Sequence, residues 1–126
     1  MLLLQTVLEI QSELIDIFGG THGIRDLQAL ESAISRPFQS YSDVALYPSP
    51  QAKAAAVLQS ILMNHPFIDG NKRTGYFLAT AILYEYNLQI TADEDSRYNC
   101  IMSIISGEMQ IEAIENWFIN NTAPFN

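Results

Sequence analysis

The stretch His65-Pro66-Phe67-Ile68-Asp69-Gly70-Asn71-Lys72-Arg73-Thr74-Gly75 runs straight into Tyr76, Phe77, Leu78, Ala79, Ile82 and Leu83. Those apolar residues recur at three- and four-residue steps, which predicts a buried helix. The stretch before them is therefore a loop that opens a helix. At such a start the first N–H groups lack internal partners and the peptide dipoles place partial positive charge there, so an anion is favoured. The loop also gathers a base, a carboxylate, an amide and two cations into nine positions, in a chain with only six Lys and Arg. That is the make-up of a phosphate site. Gly70 permits positive φ and close backbone approach. Asn71, at the N-cap or first turn, is placed to cap the helix or to bond a phosphate oxygen. Arg73 offers a planar fork of donors and Lys72 a point charge. Asp69 suits Mg²⁺, which takes one or two carboxylates together with phosphate oxygens and water. His65 is the group that accepts a proton near neutral pH. Together they indicate phosphoryl or nucleotidyl transfer with His65 activating a hydroxyl.

The run is similar to the signature of the Fic/Doc family, His-Pro-Phe-x-Asp/Glu-Gly-Asn-Gly/Lys-Arg, and within it to the death-on-curing (Doc) toxin branch. Gly19-Gly20-Thr21-His22-Gly23-Ile24-Arg25-Asp26 and Leu30-Glu31-Ser32-Ala33-Ile34-Ser35-Arg36-Pro37 resemble that branch as well, so the likeness covers most of the chain. The resemblance implies an all-α domain in which His65 is the catalytic base, Asp69 binds Mg²⁺, and Gly70, Asn71 and Arg73 hold the nucleotide phosphates. Two positions depart from the Fic adenylyltransferase pattern and are shared with the Doc branch. Lys72 replaces the second motif glycine, and Tyr76 stands where a second arginine falls. A lysine there fills space that bare backbone leaves for a diphosphate, so the nucleotide is expected in another register. The resemblance then implies a kinase that places the γ-phosphorus of ATP in line, not an AMP transferase acting at the α-phosphorus. It further implies a Ser or Thr hydroxyl of a host translation elongation GTPase as target. The alternatives are Fic-type adenylyl transfer and a catalytically silent binding module.

The expectation for residues 1–126 is a single domain with one hydrophobic core, since 48% of the chain is apolar. A net charge of −8 argues against direct nucleic-acid binding and favours a basic partner. The single cysteine, Cys100, lies in a helical apolar pattern with Tyr98, Ile101, Ile104 and Ile105, and is read as a core residue in a reducing, cytoplasmic setting. The start, Met1-Leu2-Leu3-Leu4-Gln5, is too short for a signal segment and no apolar run approaches the roughly 18 residues of a membrane span.

Pro and Gly punctuate the rest into a compact bundle of about six helices, with the active-site loop at the N-terminus of a central one. A first helix covers about residues 3–18 and stops at Gly19-Gly20. Asp26 caps a second, ended before Pro37; residues 36–48 form a long loop; Ser49-Pro50 restart a helix whose alanines admit a close neighbour. Tyr86-Asn87 closes the motif helix, Leu88–Thr91 suits a short extended piece, Asp93-Glu94-Asp95 opens a fifth helix ended by Gly107, and a last helix carries Ile111, Ile114, Trp117 and Phe118.

His22 reads as a turn residue, and Arg25 either pairs with Asp26 or reaches toward nucleotide or target. Tyr41 and Tyr47 are candidate contacts for a target segment, against a plain packing role. Self-inhibiting Fic proteins carry Ser/Thr-x-x-x-Glu-Gly/Asn, a pattern absent from this sequence. An inhibitor in trans is therefore expected. The Doc likeness implies an antitoxin whose disordered segment folds as a helix across a groove.

Overall fold

A computed structural model describes residues 1–125. In chain order these form α1 (Leu4–Phe18), α2 (Leu27–Ser35), a 3-10 turn (Arg36–Phe38), β1 (Ser40–Tyr41), β2 (Val44–Ala45), α3 (Pro50–Asn64), α4 (Asn71–Glu85), β3 (Leu88–Ile90), α5 (Glu94–Ile105), α6 (Ile111–Asn120) and β4 (Thr122–Pro124). The architecture is the expected all-α bundle, with two short antiparallel ribbons added at its edge.

Short polar side chains start three of the helices. Asp26 accepts from the Ala29 N–H at 3.0 Å, Ser49 from Ala52 at 3.0 Å, and Asp93 from Ser96 at 2.8 Å. Pro50 follows its cap at the position where a missing N–H costs nothing.

The enclosed helix is α3. Ala54, Ala55, Ala56, Val57, Leu58, Ile61 and Leu62 are buried on all sides, and α2, α4, α5 and α6 pack around it. Its small residues admit α4 closely: a Cβ built on Gly75 would lie 3.2 Å from Ile61 Cβ. The motif helix is thus the main partner of the central helix, and the motif itself is the link between the two. One apolar cluster joins Val7 of α1, Leu30 of α2, α3, Leu78 and Ile82 of α4, Ile104 of α5, and Ile114 and Phe118 of α6.

Residues 36–48 depart from the expected loop. Pro37 sits inside the 3-10 turn, and Ser40 and Tyr41 pair with Ala45 and Val44. Both strands are exposed, so no alternation marks them in the sequence. Arg36 explains the fold of this segment: its guanidinium donates to the Tyr47 hydroxyl at 2.7 Å, Gln59 at 2.9 Å and the Ser60 hydroxyl at 2.9 Å. Tyr47 is thereby tied to α3, while Tyr41 remains exposed at the hairpin. The extended piece at Leu88–Ile90 finds its partner in Thr122–Pro124.

Cys100 is buried at 4% exposure, and burial pushes its thiol from 9.0 up to about 11. The thiolate forms at lower pH in the unfolded chain than in the folded one. Stability from this group is therefore complete below about pH 9 and lost as pH rises through about 11. At neutral pH iodoacetamide should label Cys100 in urea and leave the native protein unlabelled over the same time, read by intact mass.

Candidate functional site

His65 closes α3. Its backbone is left-handed, φ +46° and ψ 59°, with its N–H bonded to the Ile61 carbonyl at 3.1 Å. Such a conformation costs a non-glycine residue about 1–3 kcal/mol and persists only where neighbours impose it. Arg25 is the neighbour. Its Nε donates to the His65 carbonyl at 2.6 Å and its Nη2 to the Asn64 carbonyl, so a cation satisfies the partly negative end of α3. Asp26 caps α2 instead of pairing with Arg25.

The next residues are sewn to the same segment. The N–H groups of Arg25 and Asp26 both donate to the Pro66 carbonyl, at 2.7 and 3.0 Å, and the Ile68 N–H donates to the Gly23 carbonyl at 3.1 Å. Ile24 and Phe67 form an antiparallel bridge between these bonds. Phe67 drives its ring into the core at 1% exposure, while Ile68 on the other side is exposed. Asn71 completes the brace: its Oδ1 accepts from the Phe67 N–H and its Nδ2 donates to the Phe67 carbonyl, both at 3.0 Å. Its amide is occupied by the loop and does not cap the helix.

Gly70 occupies the N-cap of α4 at φ +73°, with no side-chain cap. The first internal bond of the helix runs from the Thr74 N–H to the Gly70 carbonyl, so the N–H groups before it belong to the open first turn. Asp69 precedes this turn. Its Oδ1 accepts from the Gly70 N–H at 2.9 Å and its Oδ2 from the Thr21 N–H at 3.1 Å, while Gln11 donates to its carbonyl at 3.3 Å. A Cβ on Gly20 would come within 2.8 Å of Asp69 Oδ2, which is why this loop uses glycine at φ +120°.

A groove of about 1100 Å³ brings His65, Asp69, Gly70, Asn71, Lys72 and Arg73 together. Arg73 lies over the Phe18 ring, 4.2 Å from its centroid, and that cation–π contact holds the guanidinium beside the opening turn. The groove continues past Tyr76 and Thr80 of α4 to Glu94, Arg97, Tyr98, Ile101 and Met102 of α5. His22 is not part of it; its ring bonds Asp16 at 2.8 Å and Ser12 at 3.4 Å.

Sequence reasoning did not assign Gln11, Gly20 and Phe18, which shape the site from the first third of the chain, and it gave Arg25 to Asp26, nucleotide or target where the structure gives it to the carbonyls that end α3. The Gly-rich run at 19–23 was their one visible signal. Replacing Arg25 with alanine should cost about 1–3 kcal/mol, because two carbonyls at the helix end lose charged donors. Arg25→Lys should recover only part, since an ammonium lacks the fork. Urea unfolding of the two variants checks this.

With the geometry in place, comparison with known proteins adds the lineage. The family model described as Fic/DOC matches residues 2–83, more than half of the chain. The chain belongs to the Fic/DOC family. It is 42% identical over 78 residues to a protein named Toxin Doc from Mycolicibacterium smegmatis, covering 62% of this chain and 60% of that one. It is 34% identical over 86 residues to a Fido domain-containing protein of Dictyostelium discoideum, covering 64% of this chain and 60% of that one. The chain thus spans about 60% of the length of these curated relatives. The likeness to the Doc branch, read from Lys72 and Tyr76, holds at the level of the sequence. For a Fic/DOC chain the matched residues cover α1 through most of α4; α5 and α6 lie beyond them.

Proposed function

We propose that this chain is a Doc-like toxin of a toxin–antitoxin pair that transfers the ATP γ-phosphoryl group to a Ser or Thr hydroxyl of a host protein. The observation that carries the reading is the meeting, in one groove, of an exposed imidazole at the end of α3 with Asp69, Lys72, Arg73 and the open first turn of α4. A base facing an anion site is what in-line transfer from bound phosphates requires.

In this mechanism His65 takes the proton of the incoming hydroxyl. The hydroxyl oxygen bonds to the γ-phosphorus as the bond from that phosphorus to the β–γ bridging oxygen breaks, and ADP leaves with the electron pair. The first-turn N–H groups, Lys72 and Arg73 offset the charge on the phosphate oxygens. Gly70 leaves the turn open, and Asn71 acts through the loop that it braces.

Asp69 fits Mg²⁺. Each carboxylate oxygen accepts one main-chain N–H and keeps lone-pair capacity, and no group of three or more ligating side chains occurs among the described residues. Such a donor set matches an ion that takes its other ligands from phosphate and water. Bound there, it would neutralise charge on the phosphates.

Lys72 and Tyr76, at the two positions that depart from the adenylyltransferase pattern, support transfer from the γ- and not the α-phosphorus. The target in this reading is a translation elongation GTPase, and its modification arrests protein synthesis. The partner is a basic antitoxin suited to a net charge of −8, whose segment folds as a helix on the groove. Phe18, Ile68 and Phe77, all exposed along the groove, supply apolar surface for it. No helix among the described residues is long and apolar enough to cross a membrane.

Purified protein incubated with Mg²⁺, a bacterial lysate and ATP labelled at the α or the γ position tests the reaction. Label from γ alone is expected. Label from α would replace the kinase reading with adenylyl transfer. No label, with a partner still bound, would make the chain a silent binding module.

A further inference from the structure

One cluster of polar side chains has no part in the groove. Ser12 and Asp16 of α1 stand a helical turn apart on one face, and the His22 ring spans them. Its Nε2 lies 2.8 Å from Asp16 Oδ1 and its Nδ1 3.4 Å from the Ser12 hydroxyl. An ionised carboxylate only accepts, so Nε2 carries the ring proton, and Nδ1 then accepts from the Ser12 hydroxyl. These are the side-chain hydrogen bonds that tie residues 19–23 to α1.

The segment they tie has little conformational preference of its own. Gly19, Gly20 and Gly23 hold φ of +89°, +120° and +130°, so three of its five residues lose a glycine's freedom when the turn closes. On either side of His22 the same turn meets the motif. The Thr21 N–H donates to Asp69 Oδ2 at 3.1 Å, and the Gly23 carbonyl accepts from the Ile68 N–H at 3.1 Å. α1 has a second hold on Asp69, because Gln11, next to Ser12, is buried and donates to its main-chain carbonyl. One helix thus fixes Asp69 twice, at the main chain directly and at the carboxylate by way of His22 and Thr21.

We infer that His22 is a positioning residue: clasped by Asp16 and Ser12, it holds the glycine turn on α1 and so keeps the Thr21 N–H on the Asp69 carboxylate. His22 acts at a distance, since the groove that Asp69 lines does not include it. The consequence for Mg²⁺ rests on the reading of Asp69 given above; the clasp itself does not.

Amide exchange with solvent, followed by NMR, tests the clasp without any ligand. His22→Ala and Asp16→Ala should each speed exchange at Thr21 about threefold to fivefold, the worth of an exposed hydrogen-bonded pair. Phe67, whose N–H bonds the Asn71 amide, should keep its rate, and melting curves should be unaltered because both clasp side chains are exposed. The double variant should be no faster than either single one, since both changes remove the same bond. Asp16→Asn should stay close to wild type, because its amide oxygen still accepts from Nε2. Affinity for Mn²⁺ with ADP, read from the spin resonance of free Mn²⁺, should fall about fivefold in His22→Ala and hold in Asp16→Asn, short of the roughly tenfold or more lost with a direct outer-shell partner. Unchanged exchange at Thr21, equal acceleration at Phe67, or additive effects in the double variant would overturn the inference. Faster exchange with unchanged Mn²⁺ affinity would also overturn it, by separating the turn from the carboxylate. If the wild-type protein bound no Mn²⁺ with ADP, the metal reading of Asp69 would fall and the exchange rates alone would decide the clasp.

Discussion

In the proposed reaction, replacing His65 with alanine should lower the rate of phosphoryl transfer by about 10² to 10⁴ and leave the protein folded. The first half of that expectation follows from chemistry. No other group of the loop is placed to act as the base: both Asp69 oxygens are held by main-chain N–H donors and face the metal in this reading, and Lys72 and Arg73 are donors only. Without a base, the bound phosphates and their electrostatic partners remain, so part of the acceleration persists. The second half follows from placement. His65 is exposed, so truncation opens no cavity, and Arg25 grips the backbone carbonyl and not the ring. Asparagine tolerates the left-handed conformation better than alanine does. His65→Asn should therefore match the kinetic loss with the smaller change in stability, and γ-labelled ATP with paired melting curves reads both. A variant retaining the full rate would remove His65 from the mechanism.

Phe67→Ala should cost about 3–5 kcal/mol, a large share of the roughly 5–15 kcal/mol that holds a domain of this kind. Its ring is 1% exposed and belongs to the cluster formed by α3 and α4. Its main chain bonds the Asn71 amide at both N–H and carbonyl, so loss of the anchor loosens the loop as well as the core. The adjacent residue is the control. Ile68 is 55% exposed, and Ile68→Ala should cost no more than about 0.5 kcal/mol. Urea midpoints at constant m measure the contrast. Equal costs for the two residues would show that Phe67 does not anchor the motif.

Helix starts were legible because they rest on short-range chemistry: Asp26, Ser49 and Asp93 cap where a polar residue precedes an apolar period. The loop ahead of the motif helix was legible for the same reason, with Gly70 as its hinge. What the sequence withheld depends on pairs distant along the chain. Arg25 reads as a partner of Asp26 or a reach toward nucleotide or target until the carbonyls at the end of α3 stand beside it, and Tyr47 reads as a target contact or loop packing until Arg36 reaches it. Asn71 offered capping or phosphate binding as local options, and its amide goes instead to Phe67. Arg97 meets the groove only because α5, packed on α3 and α6, lines it opposite α4. The ribbons Ser40–Ala45 and Leu88–Pro124 carry too few residues for any period to register.

The seam between residues 20–26 and the motif has a consequence for how the protein gains and loses its chemistry. The bonds that set Asp69 and His65 span 48 and 40 residues of chain, so no local fragment holds the arrangement. A nascent chain cannot assemble the groove until the segment 65–75 has been made and has docked on residues that emerged long before it. Opening on heating or in denaturant should likewise part the seam and dissolve the site in one cooperative event. The groove and the fold would then be lost in a single transition, and no partly unfolded form would keep the candidate site assembled.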